Sequence, residues 1–317
     1  MEIPNPLIYP ADIVHTRGKC RMSLLSTIRF IANHPLNRAH KLGSIIRYAK
    51  WQIGSRLVPG AVVYEWVNGS KFIVKSGEKG LTGNIYCGLH EFPSMGFLLH
   101  FLRSEDLFVD VGANLGSYTI LACSAVGARG VAFEPVPCTF TKLVENIRLN
   151  HLDGKVTCIN KAVGNRVGTL AFTSTCNTTD HVLLSGEPCD NKIIVEVTTL
   201  DTALAGENPS LIKIDVEGYE TPVLAGAQAT LKKQMLKAVI LELAGIGNRY
   251  GFDESKLVEG MLCNGFKTYS YNPITRKLTA VGGRDIHSGN TLFIRDISFV
   301  EDRLKTAPTV TINGQSF

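Results

Sequence analysis

A turn after an apolar stretch holds the residues whose types and spacing best suit chemistry in this chain. Residues 106–120 run from the apolar stretch through a turn with two glycines into a second apolar stretch. This pattern predicts a buried parallel strand, and glycines let a ligand lie against bare backbone. Ligands of open α/β sheets bind at the carboxyl ends of strands, so we expect a cofactor here. The residues expected to contact it are Asp110, Gly112, Ala113, Asn114, Gly116 and Ser117.

The glycine spacing argues against a dinucleotide. A pyrophosphate fingerprint that starts at Gly112 needs glycines at the positions of Asn114 and Ser117. Glu134 ends the next predicted strand, about 20 residues after Gly112, where a carboxylate accepts hydrogen bonds from ribose hydroxyls. S-adenosylmethionine fits this pattern, because it has a ribose, no phosphate and a sulfonium cation that a carboxylate favours. A generic nucleotide site and a turn without a ligand are the alternatives.

The elements that must position these residues alternate between strand and helix from about residue 90. The pattern predicts a doubly wound, mostly parallel α/β sheet. Strands are predicted at 107–111, 130–134, 155–159, 193–198, 210–215 and 237–243, and helices at 117–126, 138–150, 220–233 and 253–264. Two final strands, 266–271 and 291–295, are expected to pair antiparallel.

The ends of the chain differ from this middle part. Helices predicted at 22–33 and 38–56, and a hairpin around Asn68-Gly69, indicate an accessory extension over residues 1–80. Residues 81–300 form the predicted sheet domain. Residues 301–317 are expected to be a frayed polar tail.

Composition indicates a cytoplasmic protein. Hydrophobic residues make up 44% of the 317 residues, no apolar run reaches 18 residues, and the N-terminus lacks the layout of a secretory signal. The eight cysteines are scattered singly, which favours reduced thiols over disulfides or a zinc site. The glycosylation sequons at Asn68 and Asn177 therefore have little weight.

Positive charge is concentrated near the N-terminus. Residues 1–60 contain nine Lys or Arg and two acidic residues, whereas the net charge of the whole chain is +5. A basic segment can contact an anionic membrane, nucleic acid or an acidic partner; a solvated helix face is the simpler alternative. The apolar stripe of the 38–57 helix could also be the seam of a homodimer.

Four blocks of sequence resemble the FkbM-type S-adenosylmethionine-dependent methyltransferases. They are Phe-Val-Asp-Val-Gly-Ala-Asn-Leu-Gly-Ser-Tyr (108–118), Ala-Phe-Glu-Pro (132–135), Asn-Lys-Ala-Val-Gly (160–164) and Lys-Ile-Asp-Val-Glu-Gly-Tyr-Glu (213–220). The resemblance implies a seven-stranded, Rossmann-like sheet whose final strand inserts antiparallel. It also implies methyl transfer to a hydroxyl of a sugar, glycan or secondary metabolite.

Carried onto this sequence, the resemblance assigns parts of the cofactor to parts of the chain. The 110–117 turn would hold the methionine moiety and Glu134 the ribose. The segment around Ala162 would lie near the adenine.

Transfer to a hydroxyl needs a group that takes the proton. Asp215 and Glu217 follow a predicted strand, so one could bind the methionine amino group and the other could face the acceptor; Glu217 could instead cap the next helix. His181 is the other candidate base, since a neutral imidazole suits proton abstraction near pH 7. His90 and Glu91 could line the cleft or pack beneath the N-terminal segment, and Glu242 could contact the acceptor or anchor a loop. Two adjacent acids are too few to predict a metal site.

Two other classes of function fit the same sheet less well. One is an NAD-dependent oxidoreductase, against which the missing glycine argues. The other is a non-catalytic binding module, which would not need acids at these positions. We expect no nucleic-acid partner, because the chain lacks an Asn-Pro-Pro-Tyr-like tetrad and its basic segment is modest.

Overall fold

The computed structural model describes residues 24–58, 60–175 and 179–317. The beginning of the helix predicted at 22–33 and the sequon at Asn177 lie outside these residues. The helices are α1 (Leu24–Asn33), α2 (Lys41–Leu57), α3 (Lys79–Cys87), α4 (Phe92–Phe101), α5 (Ser117–Ile120), α6 (Pro137–Leu149), α7 (Leu200–Ala203), α8 (Glu220–Ala225), α9 (Glu254–Cys263) and α10 (Ile297–Lys305).

The strands include those predicted from the sequence and several short additions. They are β1 (Ala61–Glu65), β2 (Lys71–Lys75), β3 (Leu107–Val111), β4 (Arg129–Phe133), β5 (Val156–Ile159), β6 (Ala162–Val163), β7 (Gly168–Thr173), β8 (Lys192–Thr198), β9 (Leu211–Ile214), β10 (Ala238–Glu242), β11 (Lys267–Asn272), β12 (Lys277–Ala280), β13 (Asn290–Ile294), β14 (Thr311–Ile312) and β15 (Gln315–Ser316).

The central sheet confirms the doubly wound α/β class but has eight strands instead of the predicted seven. Their order is β12-β11-β13-β10-β9-β3-β4-β5. The strands from β10 to β5 are parallel, and β13 inserts antiparallel between β10 and β11, as expected. The eighth strand arises because the chain reverses after β11, where the Asn272 side chain accepts the N–H of Ile274 at 3.0 Å. The strand predicted at 193–198 lies elsewhere, in a small sheet of order β6-β8-β7.

Both faces of the sheet are buried at β3, β9 and β10, which is why these central strands are mostly apolar. Alternate residues of a strand point to opposite faces. Phe108 of β3 therefore packs in one hydrophobic cluster and Val109 in another. This covered sheet supplies a rigid edge at the ends of its parallel strands.

The expectation of a frayed tail at residues 301–317 is wrong. Helix α10 continues to Lys305, and β14 and β15 then form a hairpin around Asn313 and Gly314, both with positive φ. Asn-Gly is a strong hairpin signal, because its two residues adopt the left-handed conformation that the turn requires. Phe317 is buried, with its ring centroid 5.0 Å from that of Phe92.

The prediction that the cysteines are reduced is wrong at Cys138, which is disulfide-bonded. Single spacing could not exclude a disulfide, because residues distant in sequence can meet in the fold. The free cysteines of the described part of the chain are Cys87, Cys123, Cys158, Cys189 and Cys263.

Candidate active site

A cavity of about 560 Å³ opens at the carboxyl ends of the parallel strands. Two groups of residues line it. The sheet side comprises residues at or just after strand ends: Asp110, Gly112, Ala113, Asn114, Ser117, Glu134, Asp215, Glu217 and Glu242. The helix side comprises residues of α1, α3 and the loop that follows α3: Thr27, Phe30, Ile31, Thr82, Gly83, Tyr86, Cys87, His90 and Glu91.

The turn after β3 is fixed by its backbone. The N–H groups of Gly112 and Ala113 both donate to the carbonyl of Phe133, at 3.0 and 2.9 Å. Gly112 has φ 82°, and a Cβ there would lie 1.9 Å from the carbonyl oxygen of Asp215. Only glycine fits, because the turn must pass directly beneath the loop after β9. Gly116 also has positive φ but packs near Leu143 and does not line the cavity.

Asp110 lies buried below this turn. Its carboxylate accepts a hydrogen bond from the Thr119 hydroxyl at 2.6 Å. Burial raises the pKa of Asp110 to about 6, although the Thr119 bond and the Lys213 ammonium oppose the shift. Its internal partner fits a residue that holds the turn in place.

Glu134 is the buried carboxylate at the end of β4. One oxygen accepts the N–H of Asn114 at 2.9 Å and the other accepts the N–H of Val136 at 3.0 Å. Burial raises the pKa of Glu134 to about 7 despite these two bonds. Each carboxylate oxygen retains acceptor capacity, so Glu134 can still receive hydroxyl donors from the cavity.

Asp215 belongs to a buried network with Lys213 and Glu242. The Lys213 ammonium, whose side chain is 1% exposed, lies 2.8 Å from an Asp215 oxygen and 5.1 Å from the centre of the Tyr118 ring. Burial disfavours both charges, but their attraction outweighs it, so the pKa of Asp215 is lowered and that of Lys213 is raised. Burial and Asp215 together raise the pKa of Glu242 well above its usual range. The raised pKa of Glu242 beside the lowered pKa of Asp215 favours a single negative charge on this pair, carried by Asp215.

The loop after Asp215 brings Glu217 to the cavity in a left-handed conformation. Glu217 has φ 54° and Gly218 has φ 94°. Glu220, at the start of α8, accepts the N–H groups of Val216 and Gly218, both at 3.2 Å. Glu220 thus holds this loop against the start of α8.

An apolar pocket adjoins Glu134 on the sheet side. Ala162 lines it, together with Val136, Phe172 and Val182, which share one hydrophobic cluster. A flat aromatic ligand suits such a surface. The structure therefore places Ala162 and Glu134 along the same cavity.

His181 lies apart from the other candidate residues. Its Nδ1 donates to the carbonyl of Thr179 at 2.8 Å, and its Nε2 lies 3.6 Å from a Glu187 oxygen. The neighbouring residues Asp180 and Val182 line the cavity, whereas His181 does not. Its ring is on the other side of a short extended segment, because alternate side chains of such a segment point in opposite directions.

His90 lines the cavity from the helix side. Many protein atoms surround its side chain, and the exposed part of that side chain faces the cavity. Its ring packs edge-on to Phe30 with centroids 5.7 Å apart, and a Cβ on Gly83 would lie 2.7 Å from its Nδ1. Burial lowers the pKa of His90, although Glu91 opposes the shift. A neutral imidazole is therefore held at the cavity near pH 7.

Glu91 connects the two sides of the cavity. One oxygen accepts the Tyr118 hydroxyl at 2.5 Å and the Asn290 amide at 2.6 Å. Tyr118 follows the turn after β3, and Asn290 begins β13. These bonds fix the loop that carries His90 to the sheet domain.

Sequence reasoning assigned no role to Lys213, Tyr118 or Asn290. A lysine within the apolar stretch Leu-Ile-Lys-Ile was a usable signal, because a buried cation needs a nearby carboxylate. The partners of Glu91 carried no comparable signal. Tyr118 and Asn290 are far from it in sequence.

The residues on the sheet side of the cavity lie in a segment that has known relatives. Residues 110–264 match the family model described as Methyltransferase FkbM domain, which confirms the predicted resemblance. A similar curated protein is the hexuronic acid methyltransferase AglP of Haloferax volcanii, 32% identical over 155 residues. The match covers 47% of this chain and 61% of AglP, so the chain spans about three-fifths of that relative.

Two solved structures resemble the fold more remotely. Precorrin-6y C5,15-methyltransferase from Geobacter metallireducens matches with a TM-score of 0.36 and 13% identity, covering 65% of this chain and 86% of that one. M. capricolum TrmK, in complex with S-adenosyl-homocysteine, also has a TM-score of 0.36, with 9% identity over 63% of this chain and 66% of that one. These likenesses are too distant to support an argument about function.

Proposed function

We propose that this chain, whose residues 110–264 match the FkbM methyltransferase family model, uses S-adenosylmethionine to methylate a hydroxyl oxygen of a sugar or glycan. The observation that carries the proposal is the cavity, where the turn after β3, Glu134 and Asp215 lie on one side and a neutral histidine on the other. The similarity to a hexuronic acid methyltransferase supports a sugar acceptor.

The sheet side has the groups that the cofactor needs. Glu134 would accept the ribose hydroxyls, and the pocket at Ala162 would hold the adenine. The turn at 110–117 would lie along the methionine moiety. Asp215 would bind the methionine amino group, because Lys213 and Glu242 keep its carboxylate ionised. When bound, S-adenosylmethionine supplies an activated methyl group.

The residues of the chain then have to align the acceptor and exclude water. Orientation of this kind is worth several kcal/mol. Tyr86 and Phe30 give the helix side an aromatic surface, and Glu217 offers a carboxylate for an acceptor hydroxyl. Aromatic surface with a few polar groups is typical of small-ligand pockets.

His90 is the residue we assign as the base. Its imidazole is neutral near pH 7 and exposed to the cavity, so it can take the hydroxyl proton as the new oxygen–carbon bond forms. Asp215 suits this role less well, because its charge is already engaged by Lys213 and Glu242. His181 is not proposed, since it does not line the cavity.

Labelled methyl transfer tests the function. The full chain is incubated with methyl-labelled S-adenosylmethionine and a panel of hexuronic acids, neutral sugars and extracted glycans, and products are analysed by mass spectrometry. We expect one labelled methyl on a sugar hydroxyl, and loss of the product with Asp215→Asn.

A surface change, Asp190→Asn, is the matched control and should leave the product unchanged. Cofactor binding without transfer to any sugar, or a label found on nitrogen, would overturn the proposal.

A further inference from the structure

The outward side of α2 carries a stripe of exposed apolar residues. Leu42, Ile46, Ile53 and Leu57 are between 45% and 74% exposed. At 3.6 residues per turn these four positions lie within about 60° of one another around the helix axis. We call them the α2 face. Scattered exposed apolar residues need no explanation, whereas an aligned stripe marks an interaction surface.

Cations surround the α2 face without any acidic residue nearby in sequence. Residues 24–58 contain six Lys or Arg and no Asp or Glu. On α2 itself Lys41, Lys50 and Arg56 are exposed. By helical geometry Arg56 and Lys50 flank the stripe on opposite sides, within about 40° of its edges, and Lys41 lies about 100° from the edge on the Arg56 side. The face is therefore apolar at its centre and positive at its edges.

We propose that the α2 face docks on the surface of an anionic lipid bilayer. A helix with an apolar stripe and basic flanks lies in the plane of such a surface, its apolar side chains among the acyl chains and its cations at the headgroups. Within the part of the chain that the structure describes, no helix is long and apolar enough to cross a bilayer. Docking is thus peripheral.

Charge argues against a second copy of the chain as the occupant. Two α2 faces in contact would bring like charges together with no acidic residue to compensate them. Nucleic acid would engage the cations but leave the apolar stripe in water. An anionic bilayer satisfies both features at once.

Docking would also place the helix side of the cavity next to the membrane. Helix α1 packs against α2, and Thr27, Phe30 and Ile31 of α1 line the cavity. The docking inference itself does not depend on the proposed methyl transfer.

Vesicle co-sedimentation tests the docking. We expect the full chain to bind vesicles that contain phosphatidylglycerol, and to bind phosphatidylcholine vesicles far less. High salt should weaken the binding. Replacing Lys41, Lys50 and Arg56 together by Gln should weaken it about 100-fold, since each cation near an anionic surface is worth about 1 kcal/mol.

A second variant tests the apolar stripe. Leu42→Ser, Ile53→Ser and Leu57→Ser together should abolish binding without loss of stability, because these side chains are already exposed. Ile286→Ser, at a residue 70% exposed elsewhere, is the matched control and should bind like the unchanged chain.

Three results would overturn the inference. One is no binding to anionic vesicles, and another is unchanged binding by both variants. The third is a dimer, seen by analytical ultracentrifugation, that the serine variant dissociates.

Discussion

The two sides of the cavity are built in different ways. On the sheet side, hydrogen bonds to backbone groups fix the turn after β3 and the Glu134 carboxylate, as in the bonds from Gly112 and Ala113 to Phe133. On the helix side, contacts between side chains position His90, through the ring of Phe30 and the hydrogen bonds of Glu91. Backbone at strand ends has little freedom to move, whereas side-chain contacts can be replaced one at a time.

This difference suggests that the two sides of the cavity have different roles in the proposed reaction. The rigid side suits the cofactor of the proposed reaction. The helix side suits the acceptor of the proposed reaction. Variants on the two sides should therefore separate binding of the cofactor from transfer of the methyl group.

The largest expected effect is on the helix side. His90→Gln should lower the rate of methyl transfer by about 10²–10⁴-fold, the usual contribution of a general base. The affinity for S-adenosylmethionine, measured by calorimetry, should stay unchanged because His90 belongs to the acceptor side. His287→Gln, an exposed histidine elsewhere, is the control. A parallel loss of cofactor affinity would contradict the division between the two sides.

A smaller effect, on the affinity for the cofactor and not on the rate of transfer, is expected on the sheet side. Glu134→Ala should weaken binding of S-adenosylmethionine about 10- to 100-fold, because one hydrogen bond to a charged group is worth about 1.5–3 kcal/mol. Calorimetry on the variant measures it. Glu134 also accepts two backbone N–H groups, so thermal unfolding must be followed in parallel. Unchanged affinity in a folded variant would remove the ribose role.

The sequence was informative about the sheet side because backbone fixed at strand ends requires particular residue types at particular positions. Strand ends, glycines and acids leave local signals, and Gly112, Glu134 and Asp215, which the sequence singled out, all line the cavity. Gly116 does not, because a glycine needed for packing has the same appearance in sequence as one needed for a ligand.

The helix side was much less accessible to sequence reasoning. His90 was one of two histidines that polar context could suggest, and the direction of a side chain in a loop has no periodic signature. The C-terminal hairpin was missed for a different reason, since its Asn313-Gly314 signal stands among polar residues that resemble a tail. The eighth strand depended on a turn at Asn272 that either a hairpin or a loop could have used.

The smallest expected effect is a pH dependence that belongs to the sheet side alone. Burial raises the pKa of Glu134 to about 7, so its carboxyl is largely protonated at about pH 6. Ribose hydroxyls donate to the ionised form, so the affinity for S-adenosylmethionine should fall about tenfold from about pH 8 to about pH 6. Because this pKa is raised on folding, Glu134 also favours the folded state below its usual pKa, and that contribution is lost as the pH rises through about 7.

The pH dependence has an internal control. Glu134→Gln should bind S-adenosylmethionine more weakly at about pH 8, and its affinity should no longer change between about pH 6 and about pH 8. Glu220→Gln should keep the slope, because Glu220 has a pKa also raised to about 7 by burial but does not line the cavity. Loss of the slope in both variants would mean that titration reshapes the loop between Asp215 and Glu220. In that case the sheet side would be less rigid than its backbone hydrogen bonds indicate.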